Sequence, residues 1–113
     1  MHEVALAQSM AEIVEETARR HNAHRVRLVR LELGALSHVA PEALRFCFDA
    51  AVRGTLADSA RLEIVTTPGR AWCMPCSASV ALPALGEPCP MCGSYQLGVV
   101  SGEEMRVKDI EVV

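Results

Sequence analysis

Cys73-Met74-Pro75-Cys76, twelve residues, then Cys89-Pro90-Met91-Cys92-Gly93: two C-x-x-C pairs at this separation can close a tetrahedral thiolate cage around one Zn²⁺. Each pair bends into a tight knuckle that turns both sulfurs to one side. The second knuckle has the Pro and Gly that such a turn favours, whereas the first has Ser77 where glycine is more typical and is expected to be slightly less regular. A structural zinc held by Cys73, Cys76, Cys89 and Cys92 consumes all four sulfurs and leaves no open position for catalysis. The alternative is two disulfides. The first sixteen residues argue against it, because they carry Glu3, Glu12, Glu15 and Glu16 and have no apolar stretch behind a basic start. A reducing, cytoplasmic setting is therefore expected. Nothing around residues 73–92 has the βαβ pattern of a redox C-x-x-C.

Working outward, the charge pattern limits the partners. The net charge is -3, and between Pro68 and Gly102 the only charged residues are Arg70 and Glu87, so nucleic acid is not expected as a partner. The longest apolar run, Val80 to Leu85, falls far short of the ~18 residues of a membrane span, so no membrane is expected either. In so neutral a segment this run is expected to stay partly exposed and to contact another protein through Leu82 and Leu85. At 113 residues, half of them apolar and only four aromatic, the chain has material for one modest aliphatic core.

On the N-terminal side, Leu6, Met10, Ile13 and Val14 recur at helical spacing opposite Glu12, Glu15, Glu16, Arg19 and Arg20, which predicts an amphipathic helix over about residues 4–20. Val29, Leu31 and Leu33 alternate with Arg30 and Glu32 in a half-buried strand that ends at Gly34. Pro41 and Glu42 start a second helix with Leu44, Cys47, Phe48 and Ala51 as its apolar stripe, stopped by Gly54. Cys47, between two phenylalanines, fits a small buried hydrophobe better than a fifth ligand. Arg61 to Thr67 reads as a second strand, and Met105 to Val112 as the last. The fold class is thus α+β: a small three-stranded sheet with two helices on one face, plus a four-cysteine zinc-ribbon-like lobe inserted before the last strand. Residues 1–69 and 101–113 form the α+β domain, and residues 70–100 the zinc-binding lobe.

The first three residues, Met1-His2-Glu3, carry the other candidate chemistry. An α-amine, a deprotonatable amide and the His2 imidazole can wrap one metal in fused chelate rings, and nitrogen donors in a plane suit Ni(II) or Cu(II). The plainer alternative is a solvated terminal histidine. His21, His24 and His38 read as structural or solvated residues, His21 and His24 at a helix exit and His38 in the turn before Pro41.

Together these segments resemble the HypA/HybF family of nickel-insertion proteins for [NiFe]-hydrogenase. The resemblance rests on Met1-His2-Glu3, on the stretch Gly34-Ala35-Leu36-Ser37-His38-Val39-Ala40-Pro41-Glu42-Ala43-Leu44-Arg45-Phe46-Cys47-Phe48, on the two cysteine pairs, and on Glu103-Glu104-Met105-Arg106-Val107-Lys108-Asp109-Ile110. It implies a non-enzymatic nickel metallochaperone. Nickel would be transient cargo at Met1, His2 and Glu3, and zinc would be structural at Cys73, Cys76, Cys89 and Cys92. The implied partners are a HypB-type GTPase and the hydrogenase large-subunit precursor, with a homodimer left open. Two other classes stand beside it: a nucleic-acid zinc ribbon, which would need basic residues in the lobe, and a catalytic zinc enzyme, which would need an open coordination position.

Overall fold

The computed structural model describes residues 2–113. Its elements run α1 (His2–Arg20), β1 (Val26–Gly34), α2 (Pro41–Ala51), β2 (Arg61–Thr67), β3 (Arg70–Cys73), β4 (Ala78–Ala81), β5 (Leu97–Ser101) and β6 (Met105–Val112). The strands form two three-stranded sheets, ordered β2-β1-β6 and β4-β3-β5. The chain divides into two compact units. The first comprises the chain up to Leu31, Val39–Val65 and Arg106–Val113; the second comprises Glu32–His38 and Thr66–Met105. The architecture is α+β, as the sequence predicts.

In the first unit α1 packs on α2. The buried side chains of α1 are Ala7, Met10, Ala11, Val14 and Ala18, so the inward stripe is narrower and smaller than expected from Leu6, Met10, Ile13 and Val14. Ile13 is 52% exposed. Three alanines let the helix approach its neighbour closely, and that rotates Ile13 outward. α2 contributes Leu44 and Phe48, β1 contributes Val26, Val29 and Leu31, and β2 contributes Leu62. Cys47 is half-buried rather than buried. Glu15 accepts a hydrogen bond from the Leu56 backbone N–H at 2.9 Å and so ties the turn after α2 to α1, while the Arg45 guanidinium donates to the Leu62 carbonyl. Across the polar face of the sheet, Arg30 bonds Glu63 at 3.2 Å, Asp109 at 3.0 Å and Glu111 at 3.3 Å, one acid on each side of its own strand and a second on β6.

The second unit is more elaborate than its sequence suggests. β3 pairs antiparallel with both neighbours, with Cys73 opposite Ala78 on one side and Leu97 on the other. Leu36, Ala71 and Leu82 form one small core with Leu97 packed against it. The run Val80 to Leu85 is partly exposed, as expected, but the contact role expected of Leu82 does not fit the structure. Leu82 is 3% exposed and Val80 is also buried, the two lying on one face of the chain along and just after β4, whereas Ala81, Pro83, Ala84 and Leu85 are exposed. Three backbone segments meet closely at glycines. A Cβ on Gly34 would stand 1.9 Å from the Gly102 carbonyl oxygen, and one on Gly69 would stand 2.2 Å from that of Leu82. The contact is sealed by backbone hydrogen bonds, from Leu36 N–H to Gly102 O and from Leu82 N–H to Gly69 O.

Candidate metal centre

The two C-x-x-C pairs are presented by different local structures. Cys73 closes β3 and Cys76 sits in the turn before β4. The Met74 N–H donates to Gln96 O and the Ser77 N–H to Met74 O, which holds that turn in place. Ser77 lies at φ +49°, and Gly93, the residue that follows the last cysteine of the other pair, at φ +77°. Both knuckles therefore use the left-handed conformation at the same position, and the serine follows the glycine's path. The second knuckle has no flanking strand of its own between residues 82 and 96. It is closed by Gly93 N–H to Cys89 O and by Cys89 N–H to Ser94 O, each 2.8 Å, with the Met91 N–H pointing at the Cys89 sulfur at 3.4 Å.

All four sulfurs lie within 4.8 Å of one another, and those of Cys73 and Cys92 are 3.6 Å apart. A regular tetrahedron with metal–sulfur bonds of about 2.3 Å has edges of about 3.8 Å, so the cage matches a four-thiolate metal site. None of the cysteines is in a disulfide. Cys73 and Cys89 are buried, Cys76 is half-buried and Cys92 is exposed. The thiols are hydrogen-bonded to one another, and each contact favours ionisation of one sulfur at the expense of another. Hydrogen bonding with the Cys92 and Cys73 thiols, with burial, pushes Cys76 up to about 12. The Cys76 backbone N–H favours the Cys73 thiolate, but burial and the Cys92 and Cys89 thiols outweigh it and raise that group as well. Burial acts against the Cys89 thiolate too, yet the N–H groups of Cys92 and Met91 bring it down to about 7. Four sulfurs in this space become four thiolates only when a cation compensates them.

The second sequence-predicted site lies at the start of α1. The described part of it is His2 and Glu3; the expected contribution of Met1 lies outside the described residues. The His2 imidazole is exposed, and its Nδ1 is 3.9 Å from Glu3 Oε1. The other oxygen, Glu3 Oε2, accepts the Ala40 backbone N–H at 3.3 Å. Backbone hydrogen bonds, its own and that of Ala40, hold the Glu3 carboxyl below its ordinary value. This second tie was not visible from the sequence. Ala40 is the N-cap of α2 and has no side-chain oxygen with which to cap it; Glu3 supplies an acceptor from 37 residues away. Among the described residues, the four cysteines are the group of three or more metal-ligating side chains that comes together, and His21, His24 and His38 are not part of it.

A family model described as "Hydrogenase/urease nickel incorporation, metallochaperone, hypA" matches residues 1–112. "Hydrogenase maturation factor HypA 2" of Bradyrhizobium diazoefficiens is 59% identical over 112 residues, 99% of each chain. "Hydrogenase maturation factor HypA" of Dechloromonas aromatica is 51% identical over the same length and coverage. The solution structure of the Ni metallochaperone HypA from Helicobacter pylori is similar with a TM-score of 0.69 at 26% identity, covering 98% of this chain and 97% of that one. A further HypA solution structure gives a TM-score of 0.73 at 26% identity, covering 100% and 97%.

Proposed function

The chain belongs to the HypA family of nickel metallochaperones for hydrogenase maturation, and from that premise we propose that it binds Ni(II) at its N-terminus and hands it to the [NiFe]-hydrogenase large-subunit precursor in the cytoplasm. The donors are the Met1 α-amine, the His2 imidazole and the Glu3 carboxylate. Structural zinc is held by Cys73, Cys76, Cys89 and Cys92. The observation that carries the reading is the match over residues 1–112, with His2 and Glu3 side by side at the exposed start of α1. Nickel is assigned to the α+β part, residues 1–69 and 101–113, and zinc to residues 70–100. The protein carries and transfers metal and performs no catalysis of its own; a HypB-type GTPase is the second partner.

The two sites divide the work by chemistry. Bound zinc would contribute folding free energy, on the order of 10 kcal/mol in small zinc-dependent folds, and the fit of the four sulfurs to a tetrahedron supports retention. At the chain start, the exposed imidazole leaves one side open, so an acceptor can bring its ligands in while His2 and the amine leave. Nitrogen donors favour Cu(II) over Ni(II) on affinity alone, so selectivity comes from metal supply and docking.

Calorimetric titration of Ni²⁺ tests this with native protein, a form with one residue added before Met1, His2→Ala and Glu3→Gln. The extension and His2→Ala should each abolish tight binding. Below about pH 6.5 the native protein should also lose affinity, because amine and imidazole, with ordinary values near 8 and 6.5, must both shed a proton. Equal affinity in native and extended proteins rules out the amine. Glu3→Gln keeps an acceptor for the Ala40 N–H, so a loss of nickel in this variant at unchanged melting temperature assigns the charge to the metal.

A further inference from the structure

The two helices of the first unit leave a groove that neither metal site uses. At one end Val4, Phe46, Cys47 and Ala50 line a hollow of about 280 Å³. Gln8 and Ala51 line this hollow and also the adjoining one, of about 670 Å³, which is rimmed by Glu12, Glu15, Glu16 and Arg19. Phe46 is 77% exposed. A phenyl ring left open on a helix beside a hollow is apolar surface suited to a partner side chain.

Charge decides the occupant. α1 and α2 together hold six carboxylates, Glu3, Glu12, Glu15, Glu16, Glu42 and Asp49, against three arginines, Arg19, Arg20 and Arg45. Arg19 and Arg20 are paired with Glu15 and Glu16, and Arg45 donates to the Leu62 carbonyl. Among the described residues Glu12 has no ion-pair partner. A second copy of the chain would bring the same acidic helices against this face and be repelled, whereas a basic segment would be drawn to it. From Val4 to Glu16 the groove follows α1 for about 18 Å, at about 1.5 Å per residue, which is some three helical turns.

We propose that the α1–α2 groove docks an amphipathic helical segment of a partner protein, with a bulky apolar side chain seated beside Phe46 and Val4 and Lys or Arg residues two to three turns away at the acidic end of the groove, against Glu12. The surface stands whether or not nickel binds at the N-terminus.

The probe is a helix-forming peptide of about fourteen residues, with leucines in its first turn and arginines in its last, titrated into the ¹⁵N-labelled full chain as purified. Amide shifts should concentrate at Val4, Gln8, Phe46 and Ala50. Phe46→Ser, and separately a peptide with glutamates in place of the arginines, should each weaken binding at least about tenfold. Glu12→Lys should weaken it less and reduce its salt dependence, and His2→Ala should leave it unchanged. Phe46→Ser removes a solvent-exposed ring, so its melting temperature should match the native value. Failure of the peptide to bind, or equal binding of the acidic peptide, overturns the proposal. So does sedimentation that finds a native dimer and a Phe46→Ser monomer, because the occupant is then a second copy.

Discussion

Replacing Ser77 with glycine should stabilise the four-cysteine lobe, although it deletes a side chain and a hydrogen bond. Ser77 sits at φ +49°, where an L-residue with a Cβ carries a penalty of about 1–2 kcal/mol. Glycine removes that penalty but adds unfolded-chain entropy worth about 0.4–1 kcal/mol. The substitution also loses the 3.4 Å hydrogen bond from Ser77 Oγ to Met74 O, which at an exposed site contributes no more than about 0.5 kcal/mol. The balance favours Ser77→Gly by about 0.5 kcal/mol. Since folding of the lobe and metal binding are linked, this should appear as an approximately twofold tighter zinc affinity in chelator competition and a rise of about 2–4 °C in melting temperature. Gly93→Ala is the mirror experiment, because Gly93 is at φ +77° with nothing within 4 Å of an added Cβ, and it should lose a similar amount through backbone conformation alone. The reasoning fails if Ser77→Gly destabilises the lobe while Gly93→Ala is silent.

Other perturbations bear on the rest of the structure. Cys89→Ala removes a buried sulfur of the cage, and atomic absorption on the purified variant should find zinc lost or strongly depleted, with melting of the lobe altered more than that of the helices. At pH 7 Cys76, pushed up to about 12, and Cys73, also raised, hold their protons before metal arrives, while Cys89 at about 7 is half ionised. Zinc binding should accordingly release at least the Cys73 and Cys76 protons, seen as a buffer-dependent enthalpy, and affinity should fall as pH is lowered. The depressed Cys89 value has its own sign: its thiolate stabilises the metal-free lobe fully above the ordinary thiol value and loses that contribution as pH drops through about 7. Gly69→Ala places a Cβ 2.2 Å from the Leu82 carbonyl oxygen and should cost at least about 2 kcal/mol in denaturant unfolding, since backbone and not a flexible side chain has to move.

What the sequence revealed follows from which interactions are local. The four-cysteine spacing is a short-range signal, and it led directly to the converged sulfurs; β2 begins and ends at the expected residues because Leu62 and Ile64 are bounded by Pro68 and Gly69. The strands of the lobe are not legible in the sequence for a physical reason. Arg70–Cys73, Ala78–Ala81 and Leu97–Ser101 are four or five residues long, too short to display an alternation, and their identity depends on pairing with one another. The same non-locality hid the burial of Leu82, whose neighbours Leu36 and Ala71 are distant in the chain. For α1 the sequence locates the C-terminal end but not the whole inward face, because hydrophobic weight points to Ile13 whereas the buried stripe includes Ala7, Ala11 and Ala18.

Glu3 joins these levels in one residue. Its Oε1 faces His2 and its Oε2 holds the Ala40 N–H, so the carboxylate proposed to help bind nickel also anchors the N-terminus of α2, a helix that starts on an alanine and a proline without a cap of its own. A metal that drew both oxygens to itself would release Ala40 and leave the N-cap N–H of α2 to solvent. A metal that took only Oε1 would keep the tie intact. The second arrangement costs the fold nothing, and it keeps the donor atoms on one side of the carboxylate, the side of the exposed imidazole. Departure of the cargo would then require no change in α2, which suits the proposed role of a site that loads and empties while the rest of the chain stays folded.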